Sequence, residues 1–146
     1  MVRCVQAIAG MRLPRKCQVE EGDFVHMTWK GHNGERVFRG DKNKSLYLAA
    51  LAKAAKKSDF ELHTLCVMNS HTHETGRVTT VEGMSRLYRD AHGAYAQGYN
   101  ERMNRTGAVG SQRYASLVVQ TEQHLTNLVH YVHANPVRAK IVKHPK

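Results

Sequence analysis

Cysteine is scarce in this sequence of 146 residues. The three cysteines are Cys4, Cys17 and Cys66, an odd number at unrelated spacings. Such a pattern favours neither a disulfide framework nor a zinc site, and it suits a reducing compartment. We therefore expect a cytoplasmic protein without structural disulfides.

Long apolar segments are also missing. No run of about 18 apolar residues occurs, so we expect no transmembrane helix. The N-terminus has no extended apolar stretch after its first charges, and we therefore expect no signal peptide. A chain of this length can bury one core, and we predict a single domain over residues 1–146.

Acidic residues are few relative to basic ones, with 12 Asp and Glu against 22 Lys and Arg and a formal net charge of +10. This excess favours a polyanionic partner, because neutralising phosphates releases counterions. A basic but unspecialised protein stays open on charge alone. Residues 1 to about 20, which include Arg12, Arg15 and Lys16, are expected to form a basic arm.

The residue pattern predicts strands over 24–29, 60–68, 71–80 and 114–120, and helices over about 41–57, 82–104 and 121–135. Asp41 is the expected cap of the first helix and Thr121 that of the last. The last helix should end at Asn135, because a proline disfavours the helical conformation in the residue before it. This order predicts an α+β fold, an antiparallel sheet with helices on one face.

Two histidines stand two residues apart in a predicted strand. His71 and His73 should point to the same face with Cα atoms about 6.5–7 Å apart, close enough to bind one divalent ion. Thr72 and Glu74 then point to the core face, and we expect Glu74 near the strand edge, with a further ligand role open. The chain has ten histidines, so a fortuitous pair on an exposed strand face is the alternative.

A tyrosine lies on the last predicted helix at the border between core and solvent. The apolar stripe of this helix comprises Leu125, Leu128, Val129 and Val132. Tyr131 flanks that stripe, with Asn135 one turn further on and His124 on the same side. A tyrosine in such a position can pack its ring and still present its hydroxyl. The alternative is that Tyr131 is only a boundary aromatic and that Asn135 only ends the helix.

Together these segments resemble the single-tyrosine HUH transposases of the IS200-like family, and most closely their REP-associated branch. The resemblance covers about residues 12–142 and rests on short segments in matching order: 24–31 (FVHMTWKG), 37–41 (VFRGD), 66–73 (CVMNSHTH), 112–114 (QRY) and 131–139 (YVHANPVRA). The final segment is the most specific of them.

The resemblance implies a ferredoxin-like fold, an antiparallel sheet with flanking helices. It also implies that His71 and His73 bind Mg²⁺ or Mn²⁺, that Asn135 is a third ligand, and that Tyr131 is the nucleophile. The implied reaction is the cleavage and rejoining of single-stranded or hairpin DNA through a 5′-phosphotyrosine. A divalent ion would stabilise the charge that develops on the phosphate, and the phosphotyrosine conserves the energy needed for rejoining.

The expected partner is therefore single-stranded or hairpin DNA. Basic side chains are predicted to hold its backbone: Arg12, Arg15, Lys16, Arg36 and Arg39. Trp29 and the tyrosines are candidates for stacking on bases. Members of the family occur as dimers that share sites and as monomers, so a homodimer stays open.

The chain departs from the family pattern at Thr72 and Glu74, which replace apolar residues. These departures leave open a catalytically inactive module that only binds hairpin DNA. Two further alternatives also stay open. One is a hydrolase or RNA-acting protein in which His71 and His73 activate water, and the other is a structural protein. A tuning role of His124 at the site is a hypothesis.

Overall fold

The computed structural model describes residues 18–143, so the predictions for Arg12, Arg15 and Lys16 lie outside the described residues. The strands are β1 (Phe24–Lys30), β2 (Phe60–Val67), β3 (His71–Val78) and β4 (Ala115–Val119). The helices are α1 (Asp41–Ala55), α2 (Val81–Met103) and α3 (Glu122–Arg138), and a short 3-10 turn spans His32–Gly34. The predicted elements are all present, with ends that differ by a few residues.

The four strands form one antiparallel sheet in the order β2-β3-β1-β4. The order of elements βαββαβ, followed by α3, confirms the predicted α+β, ferredoxin-like fold. The helices are not all on one face, however, which corrects that part of the prediction. Helices α1 and α2 pack together on one face, whereas α3 lies against the opposite face, so the sheet is covered on both sides.

The main core lies between the sheet and the helices α1 and α2. Side chains of a strand alternate between its two faces, and on β1 this places Val25, Met27 and Trp29 in the core. Tyrosines supply much of the helical side of this core: Tyr47, Tyr88, Tyr95 and Tyr99. Tyr114 is buried as well, so these five tyrosines are not available to stack on bases, contrary to the prediction.

Helix α1 begins differently from the prediction. Its cap is Gly40, not Asp41, and no side chain caps the helix. Gly40 has φ of +86°, a backbone conformation that glycine adopts without steric cost. Asp41 is the first helical residue, where its negative charge is favourable near the helix N-terminus.

Helix α3 begins as predicted and ends later than predicted. The Thr121 hydroxyl accepts a hydrogen bond from the backbone N–H of His124, which is an N-terminal cap. The helix continues through Pro136 to Arg138, so the predicted end at Asn135 is wrong. A proline this close to the C-terminus removes only one hydrogen bond, and the N–H of Ala139 still donates to the Asn135 carbonyl. Within residues 18–143 no helix is long and apolar enough to cross a membrane.

Candidate active site

The two faces of β3 carry different chemistry. His71 and His73 point to the face on which α3 lies. In the pairing of β3 with β1, Lys30 is opposite His71 and Thr28 is opposite His73. Thr72 and Glu74 point to the core beneath α1 and α2, as the alternation predicts. The histidine pair is therefore on the sheet face away from the main core.

The two histidines are close to each other and are held by neighbours. Their ring centroids are 4.8 Å apart and the ring planes are nearly perpendicular. His71 Nδ1 lies 3.1 Å from the Ser70 hydroxyl oxygen. His73 Nδ1 lies 2.9 Å from His26 Nε2, and the planes of these two rings are 17° from parallel. Each histidine thus engages a neighbour through the same ring nitrogen.

The surroundings favour the neutral form of both imidazoles. Burial lowers the pKa of His73 to about 4, with further lowering by the positive charges of His71, His26 and Lys30. Burial, assisted by Lys30, also lowers the pKa of His71. A metal ion binds the neutral imidazole, so both side chains are in the ligand form at neutral pH.

Tyr131 of α3 lies beside this pair. Its ring centroid is 5.7 Å from that of His73, in an edge-to-face arrangement. The guanidinium carbon of Arg138 lies 5.9 Å from the Tyr131 ring centroid. Tyr131 is 42% exposed, which is unusual for a large aromatic side chain and leaves it accessible to a ligand.

These side chains enclose an open groove of about 470 Å³. The groove lining includes Thr28, Lys30, Ser70, His71, His73 and Tyr131. Two histidines, a tyrosine and a lysine therefore line one concave surface at the end of the central strands.

Apolar packing fixes α3 over this face. Leu128 and Val132 of α3 pack with Cys66 and Met68, at the end of β2, in a second buried cluster. Since Tyr131 directly precedes Val132, that packing also sets where the tyrosine ring lies. Leu125 and Val129, which were predicted in the same stripe, are only partly buried.

Asn135 is buried, with 8% of its surface exposed, and it does not line the groove. Its side-chain nitrogen has no hydrogen-bond partner within the described residues. It lies one turn after Tyr131 on the same helix. The amide nitrogen is therefore a buried polar atom, one helical turn from Tyr131, without a partner among those residues.

The donor set suits a weakly held divalent ion. Between residues 18 and 143 no group of three or more His, Cys, Asp or Glu side chains is placed to hold a metal. Two neutral imidazoles can bind a divalent ion that takes its remaining ligands from water or from the phosphate oxygens of a substrate. A closed structural zinc site would need four protein ligands.

Glu74 does not reach the groove, so the expectation that it lies near the strand edge is wrong. It is fully buried on the opposite side of β3, and the Tyr47 hydroxyl donates a hydrogen bond to it over 2.8 Å. Burial raises the pKa of Glu74 to about 7. The departure from the family pattern at this position therefore changes the core and leaves the groove intact.

Trp29 is not available to stack on bases, contrary to the prediction. It is 5% exposed, its ring stacks on His92 with centroids 3.7 Å apart, and its indole N–H donates to the Gln112 carbonyl. Arg36 and Arg39 are exposed in the segment that leads into α1. Neither arginine lines the groove, although Gly34 of the same segment does.

The sequence patterns did not indicate three residues of the site, which are His26, Lys30 and Arg138. Strand alternation places His26 on the same face as Thr28, but only the observed pairing of Thr28 with His73 shows that this is the face of the histidine pair. His124 is exposed, and its charge acts on His26, whose pKa is lowered by burial and then by His124.

Comparison with known families agrees with this geometry. Residues 23–135 match the family model described as "Transposase IS200 like". The chain belongs to the IS200-like transposase family. A comparison with curated protein sequences found no match.

Two solved structures share the fold of this IS200-like transposase. One is described as a REP-associated tyrosine transposase bound to a REP hairpin, with a TM-score of 0.69 and 15% identity, and the match covers 91% of this chain and 77% of that one. The other is a proposed transposase from Deinococcus radiodurans, with a TM-score of 0.56 and 18% identity, and the match covers 84% of this chain and 95% of that one.

Proposed function

We propose that this transposase cleaves and rejoins single-stranded DNA at hairpin ends through a covalent 5′-phosphotyrosine on Tyr131. The observation that carries the proposal is the placement of Tyr131 beside His73 within one chain, with ring centroids 5.7 Å apart. Family membership supplies the reaction class, and the groove supplies a nucleophile, two neutral imidazoles and two cationic side chains nearby.

In the proposed reaction the Tyr131 oxygen attacks the scissile phosphorus. The bond from phosphorus to the 3′ oxygen breaks, and the 5′ phosphate stays on the tyrosine. The phenol loses one proton in this step and the leaving 3′ oxygen takes up one, so it leaves as a hydroxyl. Attack by a different 3′ hydroxyl reverses these steps and joins a new strand. The phosphotyrosine ester keeps the energy of the broken bond, so no nucleotide triphosphate is needed.

His71 and His73 would hold Mg²⁺ or Mn²⁺, with the Asn135 amide as a third ligand. When bound, that ion supplies Lewis-acid stabilisation of the charge on the phosphate oxygens. Lys30 and Arg138 add fixed positive charge close to the same position. The Asn135 side chain is buried and does not line the groove.

The proposed substrate is single-stranded or hairpin DNA, which suits a protein of net charge +10. The similar structure with a TM-score of 0.69 contains a REP hairpin. Arg36 and Arg39 are exposed in the segment that leads into α1, and Gly34 of that segment lines the groove. The two arginines would contact the DNA backbone. Arg12, Arg15 and Lys16 stay predicted DNA contacts. We further propose that the protein acts in the cytoplasm, as its cysteine usage predicts.

Two alternatives are less well supported by the geometry. A hairpin-binding module without activity was suggested by Thr72 and Glu74, but both side chains lie in the core, away from the groove. A hydrolase that activates water would not require Tyr131 beside the histidines. A homodimer stays a prediction, and it is not needed to bring Tyr131 to the histidine pair.

The proposal is tested with labelled hairpin oligonucleotides whose single-stranded flanks are randomised, incubated with the full chain and Mn²⁺. We expect a protein–DNA adduct that survives denaturing electrophoresis. Tyr131→Phe should abolish the adduct and keep hairpin binding, whereas the matched control Tyr99→Phe, on α2, should form it normally. An adduct in Tyr131→Phe, or cleavage with no adduct in the unchanged protein, would contradict the proposal.

A further inference from the structure

The two histidines of the pair use their ring nitrogens in the same way. His71 directs Nδ1 to the Ser70 hydroxyl over 3.1 Å, and His73 directs Nδ1 to His26 Nε2 over 2.9 Å. Within the described residues the Nε2 atom of neither histidine makes a hydrogen bond. The pair therefore keeps both Nε2 atoms for a ligand, while both Nδ1 atoms are occupied by the protein.

A neutral imidazole carries one proton, and a metal ion takes the nitrogen that lacks it. If Nε2 is the ligand atom, the proton of His73 must be on Nδ1, and Nδ1 then needs a hydrogen-bond acceptor. His26 Nε2 meets this need when His26 carries its own proton on Nδ1. Metal-binding histidines are commonly oriented by such a partner on the second nitrogen.

His26 also restrains the orientation of the His73 ring. The two rings meet through these nitrogens, with centroids 5.1 Å apart and planes 17° from parallel. His26 belongs to β1 and is paired with Thr75, so it is a diagonal neighbour of His73 across the central strand pair. A rigid sheet position and a planar ring make it a more precise partner than the rotatable Ser70 hydroxyl that serves His71.

We infer that His26 is a positioning residue of the metal site. It accepts the hydrogen bond from His73 Nδ1–H and so fixes the tautomer and ring orientation in which His73 Nε2 is available to a divalent ion. This inference rests on the proposed function, because it assigns His26 a role toward the metal that His71 and His73 are proposed to bind.

The first test measures the binding of Mn²⁺ to the full chain without DNA. The readout is the electron paramagnetic resonance signal of the free ion. His26→Phe keeps an aromatic ring and loses the acceptor, and we expect its Mn²⁺ affinity to fall about 10–100-fold. His26→Gln keeps an acceptor, its amide oxygen, and should retain most of the affinity. Unchanged affinity in His26→Phe would overturn the inference.

The second test needs no variant, so a folding defect cannot obscure it. Long-range ¹H–¹⁵N spectra of the histidine rings of the unchanged protein at neutral pH should show His73 protonated on Nδ1. A His73 ring protonated on Nε2 in the unchanged protein would refute the assignment.

A double variant separates failure of this inference from failure of the proposed function. If His71→Ala with His73→Ala binds Mn²⁺ like the unchanged protein, the metal site itself is misplaced and both proposals fail. If that double variant loses Mn²⁺ and His26→Phe does not, only the role of His26 is wrong.

Discussion

Tyr131 and His73 meet edge to face across the space between α3 and β3, with ring centroids 5.7 Å apart and planes at 84°. Both residues belong to one chain, and the packing of Leu128 and Val132 against the end of β2 holds them in this relation. The proposed nucleophile and the proposed metal ligands are therefore placed in the same subunit.

The first prediction concerns complementation between inactive variants. Tyr131→Phe lacks the nucleophile and His71→Ala with His73→Ala lacks the metal ligands, so a mixture of the two should form no DNA adduct if each site is built from one chain. Differently tagged chains, co-expressed and copurified, allow denaturing electrophoresis to report any adduct. An adduct on the histidine-deficient chain would show instead that the sites are shared between subunits.

The second prediction concerns Arg138, whose guanidinium carbon is 5.9 Å from the Tyr131 ring centroid. A cation there stabilises the negative charge that develops on the phosphate oxygens as the phenol attacks. Arg138→Ala should therefore slow adduct formation about tenfold or more. Arg138→Lys keeps the charge and should lose less. The control is Arg86→Ala on α2, exposed and remote from the groove. An adduct rate in Arg138→Ala equal to that of the control would remove Arg138 from the mechanism.

The fold was predictable because its signals are local. Alternation along the strands, helical spacing and the caps depend on neighbouring residues, and the order βαββα indicated an antiparallel sheet with helices. The side of the sheet on which α3 lies was not predictable in this way. That placement depends on contacts between Leu128 and Cys66, which are 62 positions apart in the sequence.

Two local rules were applied correctly and still gave wrong positions. The rule that a proline disfavours helix before it placed the end of α3 at Asn135, but one missing hydrogen bond in the last turn is a small loss for a helix packed through Val132. The expectation that a charged residue avoids the core placed Glu74 near an edge. Tertiary structure supplies a hydrogen bond from Tyr47 to one carboxyl oxygen, which offsets part of the cost of burying Glu74.

The candidate site was only half predictable. His71 and His73 are near in sequence, and the resemblance to a family singled out Tyr131. His26 was not found, because its role depends on the register of β1 against β3, which sequence patterns do not specify. The same alternation that places His26 beside the pair turns Trp29 into the core, so it excludes the predicted stacking role.

The third prediction concerns the DNA contacts of Arg36 and Arg39. If each neutralises one phosphate, Arg36→Ala and Arg39→Ala should each weaken hairpin binding and reduce the slope of log affinity against log salt by about 1. Charge-matched controls are the single variants Lys53→Ala and Lys56→Ala, on exposed positions of α1 and its C-cap. Fluorescence anisotropy over a salt series measures both quantities, and equal slopes for the arginine variants and the unchanged protein would exclude these contacts.

The last prediction follows from the buried carboxyl of Glu74, whose pKa burial raises from 4.5 to about 7. The folded state holds the proton at pH values where the unfolded chain has lost it, so folding stability falls as pH rises from about 4.5 through 7. A shift of this size corresponds to a loss of about 3 kcal/mol of folding stability at pH 8.

Glu74→Gln keeps the oxygen that accepts the hydrogen bond from Tyr47, and it cannot ionise. It should therefore lack this pH-dependent loss of stability and be more stable than the unchanged protein at pH 8. Urea unfolding at pH 5 and pH 8 measures the difference between the two proteins. A difference that does not change with pH would mean that Glu74 ionises in the folded state as readily as in the unfolded chain.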